Sequence, residues 1–471
     1  MNAFDEHKNR VETVSTQMKD FYKKGTKVKI FHGSTNSTRA QNFEKNKYVD
    51  VSKLDNIIEI NKEEEYVLVE PNVPMDILVG ETTKYGLIPP VVMEFPGITV
   101  GGGVQGGAGE SSSFKYGLFH DICLEYEIVL GNGDIVTASE TINKDLFYGT
   151  ACSYGSLGVI TLVKLRLIPV KEFIRIKYYK VSSFEDGVKF IENIVTEDVD
   201  VVDAIFFSKD SGVVMVGSFS DQVQLPKNTF SRPSDEWFYL HVDKISKLNT
   251  NNSYEEIIPT KEYLFRYDRG GFWMGYHAFR LFHIPFSKLT RRILNRFFHT
   301  RTMYRFLHAT NLSQRYFVQD ISLPKENVVS FLNFANTQLG IYPLWLCPLR
   351  PGKQDFLSPN TLLTDLVINV GIWGEIKKAR SFEEFLETNR RVENEVKAMK
   401  GRKVLYAHAY YSEAEFWSIY NRARYDDLRE KYLACKVFPD VYQKTKVSEK
   451  YKQSIARGVL REIFNKFSWN R

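Results

Sequence analysis

The sequence predicts an α+β protein, and three observations carry that prediction. Short alternating segments and polar turns crowd residues 26–172. A second texture begins after them, with longer strands separated by amphipathic helices. Helical patterns open and close the chain.

Residues 4–24 read as one amphipathic helix. Val11, Val14, Met18 and Phe21 recur at helical spacing, and Gly25 ends the pattern. Short strands follow at KVKIFHG, YVDVSKL, NIIEIN and EYVLVEP. MDILVGETTKYG reads as a helix closed by Gly86. LEYEIVL and DIVTA flank Gly131-Asn132-Gly133-Asp134; Asn-Gly between alternating runs signals a hairpin. LFYGTACSYGSLGVI reads as a helix, a glycine turn and the start of the strand TLVKLRLIPV, closed by Pro169.

Beyond Lys171, IRIKYYKV, DAIFFS and GVVMVGSFS read as strands and SFEDGVKFIENIV as a helix. Residues 237–314 are rich in aromatic and basic side chains. Strands resume at YFVQDISLP, YPLWLCPL, DLVINVGIWG and VLYAHAYY, with SFEEFLETNRRVENEVKAMK as a helix between them. The division expected is an N-terminal helix (1–25), a first domain (26–172), a second domain on an antiparallel sheet (173–412) and a helical segment (413–471).

The 471 residues suffice for two or three cores. Apolar content of 43% and charged content of 25% are those of a soluble globular protein. A net charge of +6 is too small at this length to indicate nucleic acid. Cys123, Cys152, Cys347 and Cys435 lie far apart, which excludes a zinc ribbon and suits a reducing compartment. The histidines show no metal-ligand spacing, so no metal is predicted. There is no apolar run of signal-peptide or transmembrane character, and the expected location is cytoplasmic.

Gly101-Gly102-Gly103-Val104-Gln105-Gly106 fits G-x-G-x-x-G. A Rossmann loop, however, opens a helix within a βαβ unit. Here Gly107-Ala108-Gly109-Glu110-Ser111-Ser112-Ser113 follows, which is poor helix material, and the next element is a hairpin. Two readings remain. One is an extended loop whose backbone N–H groups approach a dinucleotide pyrophosphate. The other is a loop whose glycines serve tight turns. The polar loop at residues 32–38 is either a second donor set or an ordinary Ser/Thr/Asn turn. Gly155 and Gly158, read alone, would be a helix cap.

Taken together, the polar loop, PGITVGG and YGSLGVIT resemble the FAD-binding (PCMH-type) domain of the vanillyl-alcohol oxidase family. ESSSFKYGLFHDIC followed by YEIVLGNGD is similar to the Δ24-sterol reductase family, the 24-dehydrocholesterol reductases of animals and their plant counterparts. The likeness continues through DLFYGTACSYGSLG, YFVQDISLP, YPLWLCPL, EFWSIY, LREKY and FPDVYQK, and is weakest over residues 210–312. The resemblance implies a two-domain flavoenzyme: a PCMH-type FAD-binding fold with an antiparallel-sheet cap over the flavin ring. It implies a main FAD run of Thr99, Val100, Gly101, Gly102, Gly103, Gly106, Gly107, Gly109, Glu110, Ser111 and Ser112. Gly33, Ser34, Thr35, Asn36 and Ser37 would hold pyrophosphate, and Gly155, Gly158 and Val159 the adenine side. No His or Cys occurs in residues 33–38 or 99–113, so the FAD is expected to be non-covalent. The same resemblance implies NADPH as reductant and a sterol or related isoprenoid as substrate, reduced at its C24=C25 bond. Animal members begin with a membrane-embedded segment that this sequence does not show, and HGSTNSTR is richer in Gly and Ser than their first loop.

Reducing an unactivated alkene needs a hydride, a proton delivered to the other carbon, and exclusion of water. Protonation favours the carbon that leaves the more substituted cation, so the acid should face C24. Asp320, Glu375 and His408 are the titratable candidates on cap motifs. Their plain alternatives are a turn residue, an exposed carboxylate and a hydrogen-bonded core histidine. Tyr406, Tyr410 and Trp345 either line a tunnel or pack a core. Residues 287–305 carry Lys288, Arg291, Arg292, Arg296, Arg301 and Arg305 and no acid. They form either a surface resting on an anionic membrane or a helix with solvated charges. Two rival functions stand beside the reductase: an oxidase or dehydrogenase of an alcohol, sugar or lactone, and a binding protein that keeps the fold.

Overall fold

The computed structural model describes residues 3–33, 35–40, 44, 46–222, 224–248, 253–354, 356–376 and 381–456. Ser34 and the final part of the closing segment, 457–471, lie outside the described residues. The fold is α+β, built around two large antiparallel sheets.

The first helix, Ala3–Lys24, buries Val11, Val14 and Met18. They pack with Val28, Val49, Val159 and Phe438. The helix thereby braces the parallel pair Lys29–Phe31 and Tyr48–Asp50. The five-stranded sheet runs in the order Ile57–Asn61, Tyr66–Val69, Val159–Arg166, Cys123–Val129, Ile135–Ser139. The Asn-Gly hairpin forms, with Glu125 opposite Ser139 and Val129 opposite Ile135.

The eight-stranded sheet is antiparallel throughout, ordered Ser253–Pro259, Phe173–Val181, Ser211–Ser220, Val201–Ser208, Leu344–Leu349, Val367–Gly374, Phe317–Pro324, Arg402–Lys403. Its central strands are covered on both faces, which is why VINVGIWG reads as a continuous apolar run. Helices Phe184–Ile194, Lys325–Gln338 and Phe382–Ala398 cover one face. The aromatic stretch after Trp237 covers the other, with Trp237, Phe238, Tyr267 and Phe279 fully buried.

Two sequence expectations need correction. The glycine segment is not extended: Val100–Gly106 is a short helix. Its cap is Thr99, whose Oγ1 accepts from Gly102 N at 3.2 Å. Helical glycine costs about 1 kcal/mol relative to alanine, but close packing requires it here. A Cβ on Gly103 would stand 2.5 Å from Met93 and 2.7 Å from Phe119. Gly107, at φ +62°, closes the turn in the left-handed region. The helix still lies outside any βαβ unit, because the strands around it pair antiparallel.

VLYAHAYY is not a strand. Only Arg402 and Lys403 pair as a strand, with Ser322 and Ile321, and Ala409 makes an isolated parallel bridge to Lys446. Beyond Val404 the carbonyls find other donors. Tyr406 O accepts from Thr38 N (3.1 Å) and Ser37 Oγ (2.8 Å). His408 O accepts from Gln319 Nε2 (3.0 Å) and Lys403 Nζ (2.8 Å). The closing segment holds the helices Glu413–Ile419, Arg422–Lys431 and Val441–Thr445, separated by irregular chain. It returns to the first half: Tyr425, Leu428 and Val441 join the core of the five-stranded sheet.

Candidate functional site: a cavity between the two sheets

The glycine helix, the polar loop and the turn before Val159–Arg166 face the aromatic stretch and the strands Phe317–Pro324, Leu344–Leu349 and Val367–Gly374 across one cavity of about 1480 Å³. Sites for a single drug-sized ligand span roughly 300–1,000 Å³. This cavity has room for a dinucleotide and a second ligand.

On the first-half side, Thr35, Asn36, Ser37, Thr99, Gly101, Gly102, Gly106, Gly107, Gly109, Gly155, Gly158 and Val159 line it. A Cβ on Gly106 would meet nothing within 4 Å, so this position opens directly into the cavity. Glycine backbone, threonine hydroxyls and an amide are the donor types a pyrophosphate needs, and the residues present fit FAD. Ser37 Oγ is already engaged on Tyr406 O, so that hydroxyl fixes the loop to the second sheet. Val100, Gly103 and Gly33 are not on the wall. Val100 and Gly103 are buried or packed beneath it, and Gly33 makes a turn at φ +81°.

Glu110, Ser111 and Ser112 also lie off the wall. Glu110 Oε1 and Asp203 Oδ2 both accept from Arg266 Nη2 at 2.9 Å. Tyr263 donates to Ser111 Oγ (3.0 Å), and Tyr267 (2.8 Å) and Trp345 Nε1 (3.0 Å) donate to Asp203. This buried network joins the end of the glycine segment to the aromatic stretch. Ser112 Oγ donates to Pro90 O at 2.8 Å.

The three acid candidates separate. Asp320 lines the cavity and accepts from Tyr406 OH (2.5 Å) and Asn369 Nδ2 (2.8 Å). Burial pushes its carboxyl above the ordinary range, and the two hydrogen bonds pull partly back. Glu375 is half-buried, off the cavity, with Arg315 at 3.5 Å and Arg280 at 3.9 Å. His408 is buried, with Nε2 3.0 Å from Thr38 O. Burial and the charge of Arg39 hold it down at about 3, so the neutral ring donates to that carbonyl and ties the polar loop in place.

Sequence reasoning missed Glu94. It lines the same cavity, and burial together with the neighbouring Glu110 carboxylate raises it to about 8. Its signal was a lone acid in the apolar run VVMEFPG just before the glycine segment. Tyr406 and Trp345 are on the wall, whereas Tyr410 packs in the core beside Phe385. Phe95, Phe272, Met303, Tyr304 and Trp373 complete the apolar lining around Asp320.

Residues 287–305 divide in two. Arg291 is buried, paired with Glu236 and set over the Phe286 ring at 4.8 Å. Arg301 is exposed but paired with Asp76 at 2.8 Å. Lys288, Arg292, Arg296 and Arg305 are exposed, as are Leu289 (66%), Ile293 (67%) and Phe297. Leu294, Arg296, Phe297 and Arg305 also line the cavity, which places this patch at its rim. Among the described residues no helix is long and apolar enough to cross a membrane.

Comparison with known proteins agrees with this geometry. An FAD binding domain family matches residues 9–139, which defines the class as an FAD-dependent oxidoreductase. The Δ24-sterol reductase of Macaca fascicularis is 30% identical over 456 residues, covering 93% of this chain and 86% of that protein. The Homo sapiens enzyme gives the same figures, and that of Arabidopsis thaliana is 29% identical over 458 residues, covering 88% and 79%. The chain belongs to the Δ24-sterol reductase family.

Proposed function

We propose that the protein reduces the side-chain C24=C25 bond of a sterol or related isoprenoid, with non-covalent FAD and with NADPH as reductant. The observation that carries this reading is a single cavity joining the glycine helix to an apolar chamber containing Asp320. The organisation proposed is a PCMH-type FAD-binding domain over residues 26–172, entered by the helix of 1–25. A cap over 173–412 and a closing segment over 413–471 complete it.

Bound FAD, once reduced by NADPH, would supply the hydride. The chain does the rest. Thr35 and Asn36 offer side-chain donors, and Gly101, Gly102 and Gly106, with no side chain on the wall, let the dinucleotide approach closely. Phe95, Phe272, Tyr304 and Trp373 hold the isoprenoid tail and exclude water. Asp320, aimed by Tyr406 and Asn369 and kept toward its protonated form by burial, delivers the proton to C24. Positive charge then falls on the tertiary C25, where the hydride goes. Glu94, raised to about 8, is the second carboxyl in the chamber and stays protonated at neutral pH. Glu375 and His408 face elsewhere and carry no proton in this scheme.

A cytoplasmic protein of this kind must take its substrate from a membrane. Leu289, Ile293 and Phe297, set among Lys288, Arg292 and Arg296 at the rim, support peripheral contact with an anionic bilayer.

The test is anaerobic. The purified protein should show a flavin spectrum, bleach on adding NADPH, and convert desmosterol to its saturated product. Desmosterol unchanged by the reduced, FAD-loaded protein would overturn the reading. Rapid reoxidation by oxygen with peroxide release would favour an alcohol oxidase, although the apolar chamber suits no sugar.

A further inference from the structure

One part of the cavity wall is made by the closing segment and by cations. Lys444 sits on the Val441–Thr445 helix and lines the cavity with Lys29 and Arg39. Its Nζ donates to Gly155 O at 3.1 Å. Among the described residues no carboxylate lies within ion-pair distance of Lys444. The charged groups that act on it are Arg429, Lys29 and Arg39, and it acts in turn on His32, which is half-buried nearby. Two of these cations are held by carbonyl oxygens. Arg429 donates to Ser156 O (2.7 Å) and Phe438 O (2.7 Å). Arg39 donates to Leu405 O and Ala407 O and lies over the Tyr154 ring at 5.4 Å.

Lys444 and Arg39 on the wall, with Arg429 behind it, are partnered by carbonyl oxygens and repel one another, and this arrangement calls for an anion of more than one charge. The effect on Lys444 is visible: burial first, then Arg429, Lys29 and Arg39, pull its ammonium down to about 7. The polar loop, with Thr35 and Asn36 on the same wall, adds a hydroxyl and an amide beside the cations.

We propose that Lys444 is a ligand to the pyrophosphate of the bound flavin dinucleotide, acting with Arg39 and Lys29. The closing segment is thereby a fourth cofactor-binding element beyond the three loops of the first half. The inference rests on the flavoprotein reading above. It has a consequence for proton balance. A pyrophosphate beside the ammonium raises its pKa, so binding takes up a proton wherever free Lys444 is neutral. FAD affinity therefore falls as pH rises above about 7.

The experiment uses apoprotein and flavin fluorescence, with ADP and adenosine as competitors. In the wild type, FAD and ADP should weaken progressively above pH 7, approaching tenfold per unit, and adenosine should not. Lys444→Met should weaken FAD and ADP about tenfold or more, the scale of a lost charge-assisted hydrogen bond, and leave adenosine unchanged. Lys444→Arg, which stays charged, should bind ADP at near wild-type strength with a flatter pH profile. His32→Gln separates that histidine's titration from the lysine's, and should keep the wild-type slope. Circular dichroism on each variant confirms the fold, and the Arg variant decides the matter if the Met variant does not fold. Equal ADP affinity in Met variant and wild type, an equal loss of adenosine, or a wild-type slope surviving in the Arg variant would overturn the proposal. Failure of the wild type to bind FAD would instead overturn the flavoprotein reading.

Discussion

Tyr406 donates its hydroxyl to Asp320 Oδ2 at 2.5 Å, and its backbone carbonyl receives Thr38 N and Ser37 Oγ. One residue thus touches the carboxyl in the apolar chamber and the polar loop of the first half. The irregular path of residues 404–411 makes this dual contact available, since a strand would spend its carbonyl on a neighbouring ladder.

Asp320→Asn should lower turnover by a factor of about 10² to 10⁴, the usual range for removing a positioned acid. The FAD dissociation constant should stay at the wild-type value. Tyr406→Phe should cost less and shift the alkaline limb of the rate profile, because the bond that holds the Asp320 carboxyl down is lost. Steady-state kinetics across pH, alongside flavin titration, would read both. Full activity in the Asn variant would remove Asp320 from the mechanism.

Glu94 makes a stability prediction with a definite sign. Its folded pKa is near 8 and its ordinary value 4.5. Between the two, the unfolded chain has lost a proton that the folded chain retains, so stability falls as pH rises through that window. Glu94→Gln should be less sensitive to pH over this range and more stable than wild type at pH 8. Denaturant melts at about pH 5 and pH 8 give the comparison.

His7 points the other way. Its ring bridges Glu70 (2.8 Å) and Glu127 (3.2 Å) from the first helix. Burial alone would depress it, yet hydrogen bonds and charge from both carboxylates outweigh that and raise it to about 9. Its contribution is complete below about pH 6.5 and is lost as pH rises through about 9. His7→Gln should cost on the order of 3–5 kcal/mol near pH 6, the range for breaking a buried charged pair. The gap from wild type should narrow by pH 10.

Gly106 and Gly103 should respond differently to alanine. At Gly106 the methyl meets open cavity, so stability holds or rises slightly while FAD binding weakens. At Gly103 it collides with Met93 and Phe119, and the fold itself should lose roughly 1–3 kcal/mol. Thermal melts with and without FAD distinguish the two.

At the rim, Leu289→Glu with Ile293→Glu should abolish co-sedimentation with anionic liposomes and leave NADPH-dependent flavin bleaching intact. Reversing Arg301 is the poorer probe, because its partner is Asp76. Undiminished liposome binding in the double variant would exclude this patch.

Most of the architecture was legible in the residues. Helical spacing marked the first helix, and Asn132-Gly133 marked the hairpin. Continuous apolar runs marked the central strands of the large sheet. The failures were local. VLYAHAYY alternates like a strand, but its carbonyls are taken by side chains and by a distant loop, with Tyr406 O held by Ser37 and Thr38 far away in sequence. The glycine helix was misread because propensity is a local quantity, and the packing of Gly103 under Met93 and Phe119 is not.

The sequence by itself determined the class of the protein, since its motifs depend on spacings of a few residues and the chain stores those directly. Tertiary structure decided which groups share the chamber. Asp320 and Glu94 face it, Glu375 lies half-buried outside it, and His408 is a neutral strut. Lys444 reaches Gly155 across 289 positions of sequence. Burial and long-range contact set the charge state of each of these side chains, and neither exists until the two sheets close on one another.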